Sequence, residues 1–181
     1  MAFDADSAHF HHAAAIAQLR VPGFDKTLTA ISVHLCPNGT PARLREASYL
    51  YNFAAESGLT VIGGDFNSLA PGDPEPDELD TLPAHFRARY VDLDGKMDRR
   101  PIASLLQAGL VDIAAQSGET LQPTVPGAGF AGTEFVPFRS DYLLASRALA
   151  DAATSYSVVT GEAAVYASDH YPIHADLSIG H

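Results

Sequence analysis

The sequence has a single cysteine, Cys36, and no tryptophan. One cysteine excludes an intramolecular disulfide and any cysteine-rich zinc site, and this thiol reads as a small buried or half-buried group. Basic residues are scarce as well: 11 Lys and Arg face 22 Asp and Glu, for a formal net charge of −11. A domain that held duplex DNA through a broad cationic face would be basic, so that mode of binding is disfavoured, although a metal can supply local positive charge within an acidic protein. No stretch approaches the ~18 apolar residues needed to span a bilayer. The opening MAFDADSAHFHH carries Asp4 and Asp6 where a secretory signal carries basic residues. The chain as given therefore reads as soluble and cytoplasmic.

What is present suits one globular domain. A chain of 181 residues, 46% hydrophobic and 18% charged, can bury a core without disulfides or a structural metal and is not charge-rich enough for disorder. With no internal repeat and no evident linker, residues 1–181 read as a single domain of mixed helix and sheet.

Residues 8–20 suit helix by alanine content and strand by the alternation of Ala13, Ala15, Ala17 and Leu19. The turn-like VPGFDK (21–26) and the β-branched TLTAISVHL (27–35) follow, so a hairpin is the preferred reading. Thr40-Pro41 can cap and begin a helix on which Leu44, Ala47, Leu50, Tyr51 and Ala54 recur, with Gly58 as its left-handed cap. LTVIGG (59–64) reads as a buried strand. PGDPEPDELD (71–80), with five acids and three prolines, reads as an exposed loop. Arg87, Arg89, Lys96, Arg99 and Arg100 follow as a local basic stretch, then Ile102, Leu105, Leu106 and Leu110 mark an amphipathic helix ending near Gly109. Residues 115–136 read as a long surface loop. Three strand-like runs close the chain: FRSDYLLAS (138–146), ATSYSVVT (153–160) and YPIHADLSI (171–179).

Polar residues at the ends of apolar strands mark the chemistry, because such a group is held rigidly and still reaches solvent. His34 closes TLTAISVH. Asp65 and Asn67 in GGDFN are two apart, so on an extended backbone both face one side. That pair suits a hard cation or a phosphate-bound water, and equally an Asx turn that bonds only the local backbone. In SDH (168–170), Asp169 can bind metal while His170 transfers a proton, although adjacent Asp and His are also common in turns. Asp141 opens a buried strand, which is costly unless it is paired. Its partner is either Arg139 or a histidine ring nitrogen, the arrangement that fixes an imidazole tautomer.

Taken in order, HL (34–35), GDFN (64–67), RSDY (139–142) and SDHYP (168–172) resemble the endonuclease/exonuclease/phosphatase superfamily, the deoxyribonuclease-I-like hydrolases. The resemblance runs from about Ala8 to Leu177. It implies a four-layer α/β/β/α sandwich, with two mainly antiparallel sheets face to face and helices outside, and it settles 11–20 as a strand. It also implies hydrolysis of a phosphoester with Mg²⁺ or Mn²⁺. Asp65 would orient or deprotonate the attacking water, and Asn67 would hold a phosphate oxygen or the nucleophile. Asp169 would contact the metal, with Asp65 and Asn67 beside it. His170 would bond the scissile phosphate or move a proton, Asp141 would orient His170, and His34 would donate to the phosphate. Arg139 is a further candidate for substrate binding, and Thr124 in QPTVP matches a less specific family position.

Members of the superfamily begin with a strand bearing an Asn and, later, a QE-type motif whose Glu anchors the metal. Neither occurs here, and Glu46 and Glu56 on the expected helix are poor substitutes. The sequence thus reads as the C-terminal two-thirds or so of the family pattern, N-terminally incomplete, so a secreted location stays open. Two readings follow. One is a metal-dependent phosphodiesterase, phosphatase or nuclease, with a small molecule or lipid headgroup slightly favoured over nucleic acid because of the −11 charge. The other is a catalytically inactive fragment serving as a binding or assembly module, self-associating through exposed sheet edges.

Overall fold

The computed structural model describes residues 2–22, 25–130 and 134–178. The first half of the chain contains β1 (Ala2–Asp6), β2 (Ala14–Arg20), β3 (Thr27–His34), α1 (Thr40–Leu50), β4 (Thr60–Asp65), α2 (Ala84–Arg87) and α3 (Arg100–Gln107). The second half adds β5 (Val111–Asp112), α4 (Ile113–Ser117), β6 (Asp141–Ala145), α5 (Arg147–Ala150), β7 (Ala153–Val158), α6 (Glu162–Val165) and β8 (Ile173–Leu177). Six strands form one sheet in the order β1-β2-β3-β4-β6-β5, and β7 and β8 form a second.

The expected hairpin is present: β2 and β3 pair antiparallel, with Ile16 opposite Ile31. Strand geometry begins at Ala14 rather than residue 11, and part of the expected turn, Gly23-Phe24, lies outside the described residues. β3 and β4 are parallel, which requires a crossover, and α1 supplies it. Alternation along the central strands divides their side chains between two faces. Ile31, Val33, Ile62 and Leu144 meet Ala47 and Leu50 of α1 and Ile102 and Leu105 of α3. Leu28, Val61 and Leu143 face the other way, against Tyr156, Val158, Ile173, Ala175 and Leu177 of the small sheet and against α4 and α5. The result is a mixed α/β sandwich of two packed sheets with helices. Each fully buried aliphatic side chain here contributes about 1.5–3 kcal/mol.

Several local expectations need correction. Thr40 is the first helical residue rather than the cap: Gly39 holds the cap position and no side chain bonds there. α1 stops at Leu50, and Gly58 closes nothing in the left-handed region; its N–H donates to the Ala55 carbonyl in an ordinary turn. The acidic loop is not wholly exposed, since Asp73 and Leu79 are buried. Nor is 115–136 all surface: Thr124, Val125 and Val136 are buried, and Val125, Val136 and Phe138 join Leu69, Leu79, Leu82, Tyr90 and Met97 in a separate core. The long loops fold over this small core, which Gly and Pro content could not reveal. α3 matches its expectation, with Gly109 just past its end at φ 109°.

Candidate active site

Register brings the first three groups together. His34 at the end of β3 lies opposite Asp65 at the end of β4, and Asp65 lies opposite Asp141 at the start of β6. Because β6 runs antiparallel to β4, its beginning shares a sheet edge with the ends of the other two strands. The diglycine before Asp65 makes this row possible. Gly64 has φ 139°, and a Cβ there would fall 1.9 Å from the Val33 carbonyl oxygen, so no side chain fits.

Asp65 is enclosed by donors. Its Oδ1 accepts from the Asn67 N–H (2.8 Å) and the Ser140 hydroxyl, and its Oδ2 from the Asn67 side-chain amide (3.0 Å). The His34 Nε2 is 3.2 Å from the same Oδ2. Burial and the neighbouring Asp141 charge raise its pKa, against the opposing pull of the Ser140 and Asn67 hydrogen bonds and of His170. Asn67 sits at φ 49°, so the Asx turn and the strand-end site are one structure. The Asn67 amide also donates to the Leu35 carbonyl at 2.9 Å, tying the loop after β3 to the loop after β4.

His170 arrives from the segment before β8. Its Nδ1 lies 2.9 Å from the Asp141 Oδ2, so the partner of Asp141 is this histidine and not Arg139. Burial disfavours the imidazolium, but the Asp141 hydrogen bond and the charges of Asp141, Asp65 and Asp169 outweigh it and push the pKa up to about 9. Thr124 holds the other end of the pair, its hydroxyl accepting from the N–H groups of both Ser140 and Asp141 at 3.0 Å. The Thr124 carbonyl accepts from the Tyr171 N–H, and the Gly127 N–H donates to the Asp169 carbonyl. Gly127 approaches so closely that a Cβ would fall 2.5 Å from the Ser168 carbonyl oxygen.

His34, Asp65, Asn67, Asp141, Asp169 and His170 all line one open cleft of about 530 Å³. Within it, donor atoms of Asp65, Asp141 and His170 lie within 4.8 Å of one another, a group that could bind a metal ion. Asp169 lines the same cleft but stands outside that trio. Arg139 is the nominated residue the structure places elsewhere. Its side chain is 3% exposed, its Nε and Nη2 donate to Asp73 at 2.9 and 2.7 Å, and Asp112 lies 2.7 Å away. A guanidinium neutralised by two buried carboxylates is a structural tie, so Arg139 is withdrawn as a substrate contact. The cleft also contains His12 and Tyr90, which sequence reasoning missed, and Arg89 from the local basic stretch, in an ion pair with Glu134. Ser140 was missed too, though its place beside Asp141 in RSD offered a signal.

No family model and no curated protein matches this sequence. Solved structures do. A 3′ phosphatase from Neisseria bound to a product DNA hairpin aligns with a TM-score of 0.63 and 24% identity, covering 91% of this chain and 63% of that one. An endonuclease/exonuclease/phosphatase from Beutenbergia cavernae aligns with a TM-score of 0.66 and 18% identity, over 93% of this chain and 39% of the other. This chain has the endonuclease/exonuclease/phosphatase fold. A mannosyl-6-phosphatase from Bacteroides thetaiotaomicron shares that fold, with a TM-score of 0.57 and 18% identity over 91% and 56% of the two chains. The present chain therefore spans less than two-thirds of the length of each of these structures.

Proposed function

We propose that this chain is a metal-dependent phosphoester hydrolase using Mg²⁺ or Mn²⁺. The observation that carries the reading is the convergence of the His34–Asp65–Asp141 row with His170 in one cleft. Hydrolysis at an anionic phosphate needs a base for water, an acid for the leaving oxygen, and donors for the equatorial charge. Asp65 suits the base: a carboxylate whose pKa is raised by burial takes a proton more readily than an exposed one. His170, protonated at neutral pH beside Asp141, suits the acid and donates to the phosphate or the departing oxygen. Asp141 orients that imidazole. His34 holds a phosphate oxygen, while the Asn67 NH₂ group, already donating to Asp65 and to the Leu35 carbonyl, leaves its Oδ1 for the cation or the attacking water.

The donor chemistry fits a hard divalent cation, since carboxylates and an amide oxygen suit such ions better than soft ones. Asp65, Asn67 and Asp169 are the residues proposed to hold it. When bound, such a cation supplies Lewis-acid neutralisation of the phosphate and a more acidic water. Among the described residues lining the cleft, Arg89 is the one Lys or Arg, which favours a small molecule or lipid headgroup over a nucleic acid gripped along its backbone. Two of the neighbours are named for phosphate chemistry, a 3′ phosphatase bound to a product DNA hairpin and a mannosyl-6-phosphatase.

The test is hydrolysis of bis(p-nitrophenyl) phosphate and p-nitrophenyl phosphate with and without Mn²⁺ or Mg²⁺. Metal-dependent turnover should fall by about 10²–10⁴-fold in His170→Ala and in Asp65→Asn. Folded wild-type protein with no turnover under any cation defeats the proposal. That result would favour a catalytically silent binding or assembly module, a reading supported by the donors that already surround both oxygens of Asp65. Self-association through β1, the outermost strand of the larger sheet among the described residues, would then be looked for by sedimentation.

A further inference from the structure

Two features near the cleft have no part in that mechanism. The first is Glu46 on α1, which is 0% exposed. A buried carboxylate is costly unless its oxygens are satisfied, and here both accept backbone N–H groups: Oε1 from His11 at 2.7 Å and Oε2 from Cys36 at 2.6 Å. One turn earlier, buried Arg43 donates to the Cys36 carbonyl at 3.2 Å. The Cys36 backbone is thus gripped through its N–H and its C=O by two side chains of one helix. The second feature is His12, whose ring stacks on that of His34 with centroids 4.1 Å apart and planes inclined by 18°.

The two features are connected. Glu46 bridges the residue before His12 to a residue two past His34, so it holds side by side the chain segments that carry the stacked rings. The His34 side chain is 47% exposed and would otherwise be free to change rotamer. With Asp65 at its Nε2 and His12 across its face, it is confined on two sides. We propose that Glu46 and His12 are positioning residues, which together dock the His34 imidazole against Asp65 at the cleft. This rests on the hydrolase reading for its effect on rate, but the docking itself can be tested without turnover.

His12→Ala should lower kcat by about tenfold to a hundredfold, the scale on which a misplaced group costs rate, with KM changed little. His12→Phe keeps a flat ring on His34 and should restore kcat to within a few-fold. In a His34→Ala background, His12→Ala should add no further loss, since its effect passes through His34. Glu46→Gln, which retains one acceptor oxygen and turns an NH₂ group towards the second N–H, should reproduce the His12→Ala phenotype. If it fails to fold, the His12 series stands alone, because that series leaves α1 untouched.

In parallel, the carbon-bound ring protons of His34 should show an upfield ring-current shift in NMR spectra. The shift should be lost in His12→Ala and kept in His12→Phe. Equal losses in His12→Ala and His12→Phe would mean that His12 acts through its own N–H, and would overturn the proposal. So would an unchanged His34 spectrum in His12→Ala. An inactive wild type defeats the hydrolase reading, and the spectra then decide the docking.

Discussion

Asp141 and His170 show how a single contact sets a protonation state. The imidazole is partly buried, which alone would lower its affinity for a proton, yet three carboxylates raise it to about 9. NMR titration should place the His170 transition near that value, and Asp141→Asn should move it down by more than a unit. The sign for stability follows. The folded-state pKa lies above the unfolded value of about 6.5, so the contribution of this pair is complete below that value and is lost as pH rises through about 9. Urea titrations from pH 6 to 10 should show that decline in the wild type and not in Asp141→Asn. His34, Asp65, Asn67, Asp141 and His170 could be nominated because each sits at the end of a recognisable apolar run. Arg139 and His12 could not be placed. Whether Arg139 turned to Asp141 or to a distant acid depends on Asp73, in a loop whose composition looked solvent-facing, and His12 lies in a stretch with no usable period.

At the level of elements, strands and helices were legible wherever hydrophobic period was strong: β3, β4, β6 and α3 fall where their patterns put them. The pairing partners were less so, because the parallel register of β3 and β4 and the antiparallel return of β6 are long-range choices that no local pattern states. The buried ties between elements were not legible at all. Arg139, just before β6, joins Asp73 in the acidic loop to Asp112, whose other oxygen caps α4 by accepting from the Ala114 N–H. Breaking a buried pair leaves a charge without compensation, at a cost of about 3–5 kcal/mol. Asp73→Ala should show a loss of that size in urea unfolding. The molecules still folded should keep their specific activity, since this triad does not line the cleft. A matching loss of activity would mean that the tie also shapes the site.

On the scale of the whole molecule, the site is a seam. His34, Asp65 and Asp141 belong to six hydrogen-bonded strands backed by two helices, whereas His170 is delivered by the segment leading into a two-stranded sheet. Two-stranded sheets are marginal by themselves, and proteins open in cooperative units of unequal stability. The two halves of the Asp141–His170 pair therefore need not come apart together with the fold. In mild denaturant the small sheet should loosen first, carrying His170 away from an Asp65 still held in place. Turnover would then vanish at a lower urea concentration than far-UV circular dichroism, and return at once on dilution. Coincident loss of both signals would show instead that the seam is as strong as the sheets it joins. An interval between them would give the chain a reversible off state, folded in its larger part and silent, reached by loosening one hairpin.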